Sequence, residues 1–273
     1  MKKKKIDFTT IILIVILIVG LSLLLYPSIS DYWNSFHQTR AITSYTTDVS
    51  TLDSEEYEAI LEKAKAYNQK VLERAGQYVL TDKQKEEYES MLNVSGNGVM
   101  GSVEIPQIEC RLPIYHGTEE SVLQVAIGHL EWSSLPVGGE GSHCIISGHR
   151  GLPSARLFTD LDQLAEGDTF VLRVLEEMFT YEVDQILIVE PQDVEALAIE
   201  EGKDYCTLIT CTPYGVNSHR LLVRGHRVDN ASTAYLRVSA DARQIDPVIV
   251  APVVAAPMVL LLFIYLLIRY KKK

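Results

Sequence analysis

Three patterns of apolar and polar positions divide the chain. The first is a run without charge, Phe8 to Tyr26. As a helix its nineteen residues reach about 28 Å, close to the hydrocarbon thickness of a bilayer, so the run predicts a membrane span. Pro247 to Ile268 is a second uncharged run. Its early prolines, Pro247, Pro252 and Pro257, predict a kinked or interfacial first part. The second pattern is a three-four spacing. From Ser54 to Arg74, Leu61, Ala64, Tyr67, Val71 and Leu72 form a stripe behind a cap at Asp53 or Ser54, with Glu55 and Glu56 in the first turn. Thr81 to Leu92 repeats this with Tyr88, Met91 and Leu92. Both helices are expected to pack against the domain. Between the first run and these helices, Pro27 to Arg40 is polar and mixed.

The third pattern starts at Gly96-Asn97-Gly98, where short alternating strands take over. They are expected at Val99–Ile105, Cys110–Tyr115, Ser142–Ser147, Thr169–Val174, Phe179–Ile188, Tyr205–Cys211 and Arg220–Arg224. Pro106, Pro113, Gly117, Gly138-Gly139, Gly151 and Gly167 punctuate them, and Leu157 to Leu164 is a short helix at most. Strands so spaced predict a mainly β domain, a barrel or a sandwich. The expected organisation is a cytoplasmic tail and membrane helix over 1–27 and a helical region over 28–95. A β domain over 96–228, a linker over 229–246 and a second membrane helix with a basic tail over 247–273 complete it.

Charge orients this arrangement. Lys2 to Lys5 precede the first run, and Arg269 with Lys271 to Lys273 follow the second. Positive flanks stay cytoplasmic, which predicts a two-pass protein with its central domain outside. A cleaved signal peptide is the competing reading of the first run; that run is longer than a signal core, and no small-x-small site follows it. The formal net charge is -11, which argues against nucleic acid as a partner. The four cysteines, Cys110, Cys144, Cys206 and Cys211, contain no C-x-x-C pair. Cys206 and Cys211, five apart on a strand, point to opposite faces, so Cys211 is read as a free thiol.

The candidate chemistry lies between Tyr205 and Arg220. A buried strand delivers Cys211 to its end, a turn on Pro213 and Gly215 follows, and the chain returns with Arg220 beside the thiol. A cysteine nucleophile needs a cation or an imidazolium nearby. His149 is the preferred imidazole, because Gly148 and Gly151 around it open backbone and space. His143 shares its strand parity and is its chief competitor, as Arg224 is for Arg220. His219 is expected to project away from Arg220. A phosphatase loop is excluded because Asn217 stands where its arginine belongs, and the histidines lack zinc-ligand spacing.

These residues resemble a known family. Thr207-Leu208-Ile209-Thr210-Cys211 is similar to the sortase Thr-Leu-x-Thr-Cys signature. Ser147-Gly148-His149-Arg150-Gly151-Leu152-Pro153 and Asn217-Ser218-His219-Arg220-Leu221-Leu222-Val223-Arg224-Gly225 support it. Gly98-Val99-Met100-Gly101 and Leu112-Pro113-Ile114-Tyr115-His116-Gly117 resemble class C, the pilus-building sortases. The resemblance implies a closed β-barrel of about eight strands, with Cys211 as nucleophile, His149 as acid/base and Arg220 as the charge-holding residue. It implies cleavage of a Leu-Pro-x-Thr-Gly-type sorting signal between threonine and glycine through an acyl-enzyme, with no metal or organic cofactor. The implied partners are pilins or surface proteins bearing that signal, and an amine acceptor: a pilin lysine in polymerisation, or a cell-wall peptide in anchoring. Class C enzymes commonly carry an Asp-Pro-aromatic lid ahead of the barrel. No such triplet occurs between Ser28 and Gly96; Gln77 to Asp82, with Tyr78, holds that place.

Overall fold

The computed structural model describes residues 8–230, 257–260 and 263. Residues 34–230 belong to one compact unit and 8–33 to another.

Eight strands close into a barrel: β1 (Val99–Ile105), β2 (Cys110–His116), β3 (Ile127–His129), β4 (Ser142–Ser147), β5 (Thr169–Val174), β6 (Glu177–Val189), β7 (Asp204–Thr212) and β8 (His219–Val228). Around the barrel the order is β1-β2-β3-β4-β7-β8-β6-β5. Closure leaves no unpaired edge. Pairing is antiparallel except at β2–β3 and β4–β7, which run parallel. Val103, Ile105, Ile114, Ile146, Phe170, Leu172, Leu208 and Val223 fill the interior. A smaller apolar cluster of Ile145, Leu197, Ile209 and Leu222 lies on the opposite face of β4, β7 and β8.

Seven of the eight strands match the sequence pattern. The addition is β3, only three residues long, which offers too little alternation to read. Its Gly128 is there for packing: a Cβ would stand 2.0 Å from the Gly117 carbonyl oxygen. The expected helix over Leu157–Leu164 shrinks to one 3-10 turn, Leu161–Gln163.

The helical region extends beyond the two stretches of three-four spacing. The first helix, α1, spans Phe8–Ser50 and continues through Pro27 and the stretch read as polar and mixed. Proline in a helix interior costs about 3 kcal/mol. Burial of Ile42, Tyr45 and Val49, spaced three and four apart, opposes that cost. The Tyr45 hydroxyl donates to the Met100 carbonyl (3.0 Å) and accepts from the Leu175 N–H (2.8 Å), stitching the helix to the barrel. Next come α2 (Ser54–Glu73), capped by Asp53 in a capping box with Glu56, and α3 (Asp82–Glu89), capped by Thr81 with Gln84. Both pack on the barrel through Ala64, Tyr67, Val71 and Tyr88. Asn68 clamps the backbone of Leu135 with both amide atoms, at 3.1 and 2.7 Å.

The apolar part of α1 is, among the described residues, the one helix long and apolar enough to cross a membrane, and it is a candidate anchor. Of the second run, Pro247–Ile268, only Pro257 to Leu260 and Phe263 are described, all helical. The rest of that run, and most of the linker over 229–246, lie outside the described residues.

Candidate active site

The site is a consequence of strand register. Antiparallel pairing of β7 with β8 puts Cys211 directly opposite Arg220. Parallel pairing of β4 with β7 ends at Ser147 against Ile209, and counting two residues on from each reaches His149 and Cys211. The alignment persists beyond the ladder: the Gly148 N–H donates to the Ile209 carbonyl (3.0 Å), and the Thr210 hydroxyl to the Gly148 carbonyl (2.8 Å). Cys211 and Arg220 are thus paired across β7 and β8, and His149 follows two residues past the end of the neighbouring β4. Further residues of matching parity, Ile145, Ile209 and Leu222, make an apolar floor. Leu197, from the 3-10 turn Glu195–Leu197 between β6 and β7, packs against it.

Burial separates the four cysteines, all of them free thiols. Cys110, Cys144 and Cys206 are buried, and burial pushes the Cys110 thiol up to about 12. Cys206 pairs in register with Cys144 inside the barrel, on the face away from Cys211. Cys211 alone is partly exposed. His149 is likewise half-buried at the mouth of the row.

The structure also sorts the competitors. His143 is 1% exposed, with Nδ1 2.9 Å from the Ala198 carbonyl and Nε2 2.7 Å from the Thr207 hydroxyl. Desolvation depresses its pKa to about 4, so it is a neutral structural group. Arg224 is held by both oxygens of Asp184 at 3.0 Å and stacks 4.1 Å over the Tyr205 ring. Arg220 makes no ion pair among the described residues; its Nη1 donates to the carbonyls of Asn217 (3.3 Å) and His219 (3.1 Å). Its other donors remain for an oxygen on a ligand. His116 and His129 bond backbone carbonyls. In the segment where a lid was expected, Tyr78 packs edge-on against Trp132, centroids 4.9 Å apart, and Asp82 opens α3.

Sequence reasoning missed three contributors. Ile127 and Phe158 press on Gly148, where a Cβ would stand 2.7 Å from each, so the backbone leading to His149 admits only glycine without rearrangement. Arg150 is buried beside the row, although the motif gave it no task. The Thr210 hydroxyl bond was carried by a residue already quoted, but strand parity alone hid its partner.

A partly exposed thiol opposite a guanidinium that makes no ion pair among the described residues, with an imidazole two residues past the neighbouring strand, is an arrangement fit for cysteine-dependent acyl transfer. Comparison with known proteins gives this class its family. The sortase domain family matches residues 103–228. Sortase D of Bacillus subtilis is 30% identical over 174 residues, spanning 63% of this chain and 84% of the relative. Among solved structures, sortase C1 from Streptococcus agalactiae is 52% identical with a TM-score of 0.69, covering 70% of this chain and 99% of that one. Clostridium perfringens sortase C, solved with the C-terminal cell wall sorting motif, is 40% identical with a TM-score of 0.62, covering 70% and 99%. The chain belongs to the sortase family of cysteine transpeptidases, and its structural neighbours are class C sortases.

Proposed function

We propose that this protein cleaves Leu-Pro-x-Thr-Gly-type sorting signals between threonine and glycine and joins the threonine to a pilin lysine in pilus polymerisation. The observation that carries this is the register row of His149, Cys211 and Arg220 at the open end of β4, β7 and β8. The Cys211 thiolate attacks the threonine carbonyl carbon. Arg220 donates hydrogen bonds to the oxyanion that forms. His149 gives its proton to the departing glycine nitrogen, leaving a thioester on Cys211. The lysine amine then attacks the thioester, its proton returns to His149, and the Cys211 sulfur departs as an amide forms. The apolar floor of Ile145, Ile209 and Leu222 suits the leucine and proline of the signal. The row needs no metal or organic cofactor for these steps. The proposed setting is the outer face of the cell membrane, with α1 and the Pro247–Ile268 run as two anchors and both termini inside. In the 28–95 region the connector between α2 and α3 takes the place of a lid, with Tyr78 seated on Trp132.

Mass spectrometry of the full chain incubated with a sorting-signal peptide tests the reading. An acyl adduct on Cys211, converted by a pilin bearing the acceptor lysine into an isopeptide product, is the expected result. Conversion only by a cell-wall peptide would make the protein an anchoring sortase. Undiminished cleavage by Cys211→Ala would refute the site.

A further inference from the structure

Arg150 is the residue of the site region whose placement packing does not explain. Its side chain is 10% exposed although it follows the end of β4 in a surface connection, where water could solvate it. Burying a guanidinium is costly unless its donors are matched. Here the match is incomplete. One terminal nitrogen pairs with Asp162 on the 161–163 turn, Nη1 donates to the Thr212 hydroxyl at 3.3 Å, and Nε is buried with no acceptor among the described residues. The Tyr214 ring lies 6.0 Å from the guanidinium carbon and its edge sits on Gly151, closing the outer side. A buried donor left unmatched marks a position held for something other than stability.

The partners show what is held. His149 lies between Gly148 and Arg150, and Cys211 lies between Thr210 and Thr212. On one side Gly148 is tied to Ile209 and Thr210. On the other side Arg150 bonds to Thr212 across the two segments. That bond forms past the last β4–β7 pair, Ser147 with Ile209, where no ladder bond fixes the spacing. The His149 carbonyl accepts from the Phe158 N–H (3.1 Å), and Asp162 anchors Arg150 to the same 158–163 segment.

We propose that Arg150, braced by Asp162, is a positioning residue that sets the separation of the His149 imidazole and the Cys211 thiol through its bond to Thr212. This rests on the function proposed above. Arg150 touches no substrate; it acts through the two residues it brackets. A displacement of about 1 Å at reacting groups is enough to cost on the order of a hundredfold in rate.

The test uses the full chain in detergent micelles and two readouts. The first is formation of the Cys211 acyl adduct with a sorting-signal peptide, located by peptide mass spectrometry; it shows whether the site acylates at all. The second is kcat and KM for a sorting-signal peptide. The variants are Arg150→Met, Thr212→Val and the double change. Arg150→Met is expected to lower kcat about ten- to a hundredfold, with KM within about twofold. Thr212→Val should do the same, and the double variant should lose no more than either single one. If Arg150→Met fails to fold, Thr212→Val carries the test alone. A wild type that forms no acyl adduct on Cys211 would overturn the proposed function and this inference together. A wild type that acylates, with kcat unchanged in both single variants, would overturn only the role of Arg150, as would additive losses in the double variant.

Discussion

Replacing His143 by glutamine should remove a pH dependence from the stability of the domain. The imidazole is buried between the Ala198 carbonyl and the Thr207 hydroxyl. Neutral, it donates from Nδ1 and accepts from Thr207 at Nε2; protonated, it must donate from both nitrogens with almost no solvent contact. Desolvation therefore takes its pKa from 6.5 to about 4. The folded value lies below the unfolded one, so between these limits the unfolded chain binds more protons. Stability from the neutral imidazole is full above about pH 6.5 and is lost as pH falls toward 4. At pH 5 the loss relative to pH 8 comes to about 2 kcal/mol, and by pH 4 to about 3 kcal/mol. For a domain of this size the pH 5 figure equals a fall of about 4–8 °C in melting temperature. The assay is a melt followed by tryptophan fluorescence at pH 8 and pH 5, for the wild type and His143→Gln. Taking the difference between the two proteins cancels the titration of His116, which burial also depresses, and of Asp204, which burial raises. The wild type should lose about 2 kcal/mol more than the variant. Parallel losses would refute the neutral, structural assignment of His143 and reopen its claim against His149.

Gly148→Ala places a methyl 2.7 Å from both Ile127 and Phe158. It should cost about 1–3 kcal/mol in denaturant unfolding, and shift His149 enough to lower the rate of acyl formation. Tyr45→Phe leaves the buried Leu175 N–H and the Met100 carbonyl without their partner. A loss of about 1–3 kcal/mol is expected, with faster amide exchange near Leu175. The two arginines should separate cleanly. Arg224→Met, which strands Asp184, should lower the melting temperature while preserving the Cys211 acyl adduct. Arg220→Met should keep the melting temperature and lower acyl formation on the order of a hundredfold or more, as loss of an oxyanion donor does. The opposite pattern would exchange their roles.

The barrel strands were legible because alternation of two is a local property: one face must meet the core and the other must not. The helices α2 and α3 were legible for the same reason at a period near 3.6, together with their caps. The thiol and guanidinium could be paired from sequence because a short turn joins their strands, so register follows from counting residues. What the chain alone left open depends on segments far apart in sequence. The continuation of α1 past Pro27 is decided by contacts of Ile42, Tyr45 and Val49 with a barrel fifty residues later, against the local preference of proline. The strand β3 exists because Gly128 can approach the Gly117 backbone. The choice of His149 over His143 had only flanking glycines behind it. Burial and two hydrogen bonds count against His143, since desolvation acts on a side chain only after the fold has closed over it. Arg150 carried no local signal at all; its meaning lies in the bond to Thr212, sixty-two residues away, which only the parallel pairing of β4 and β7 creates.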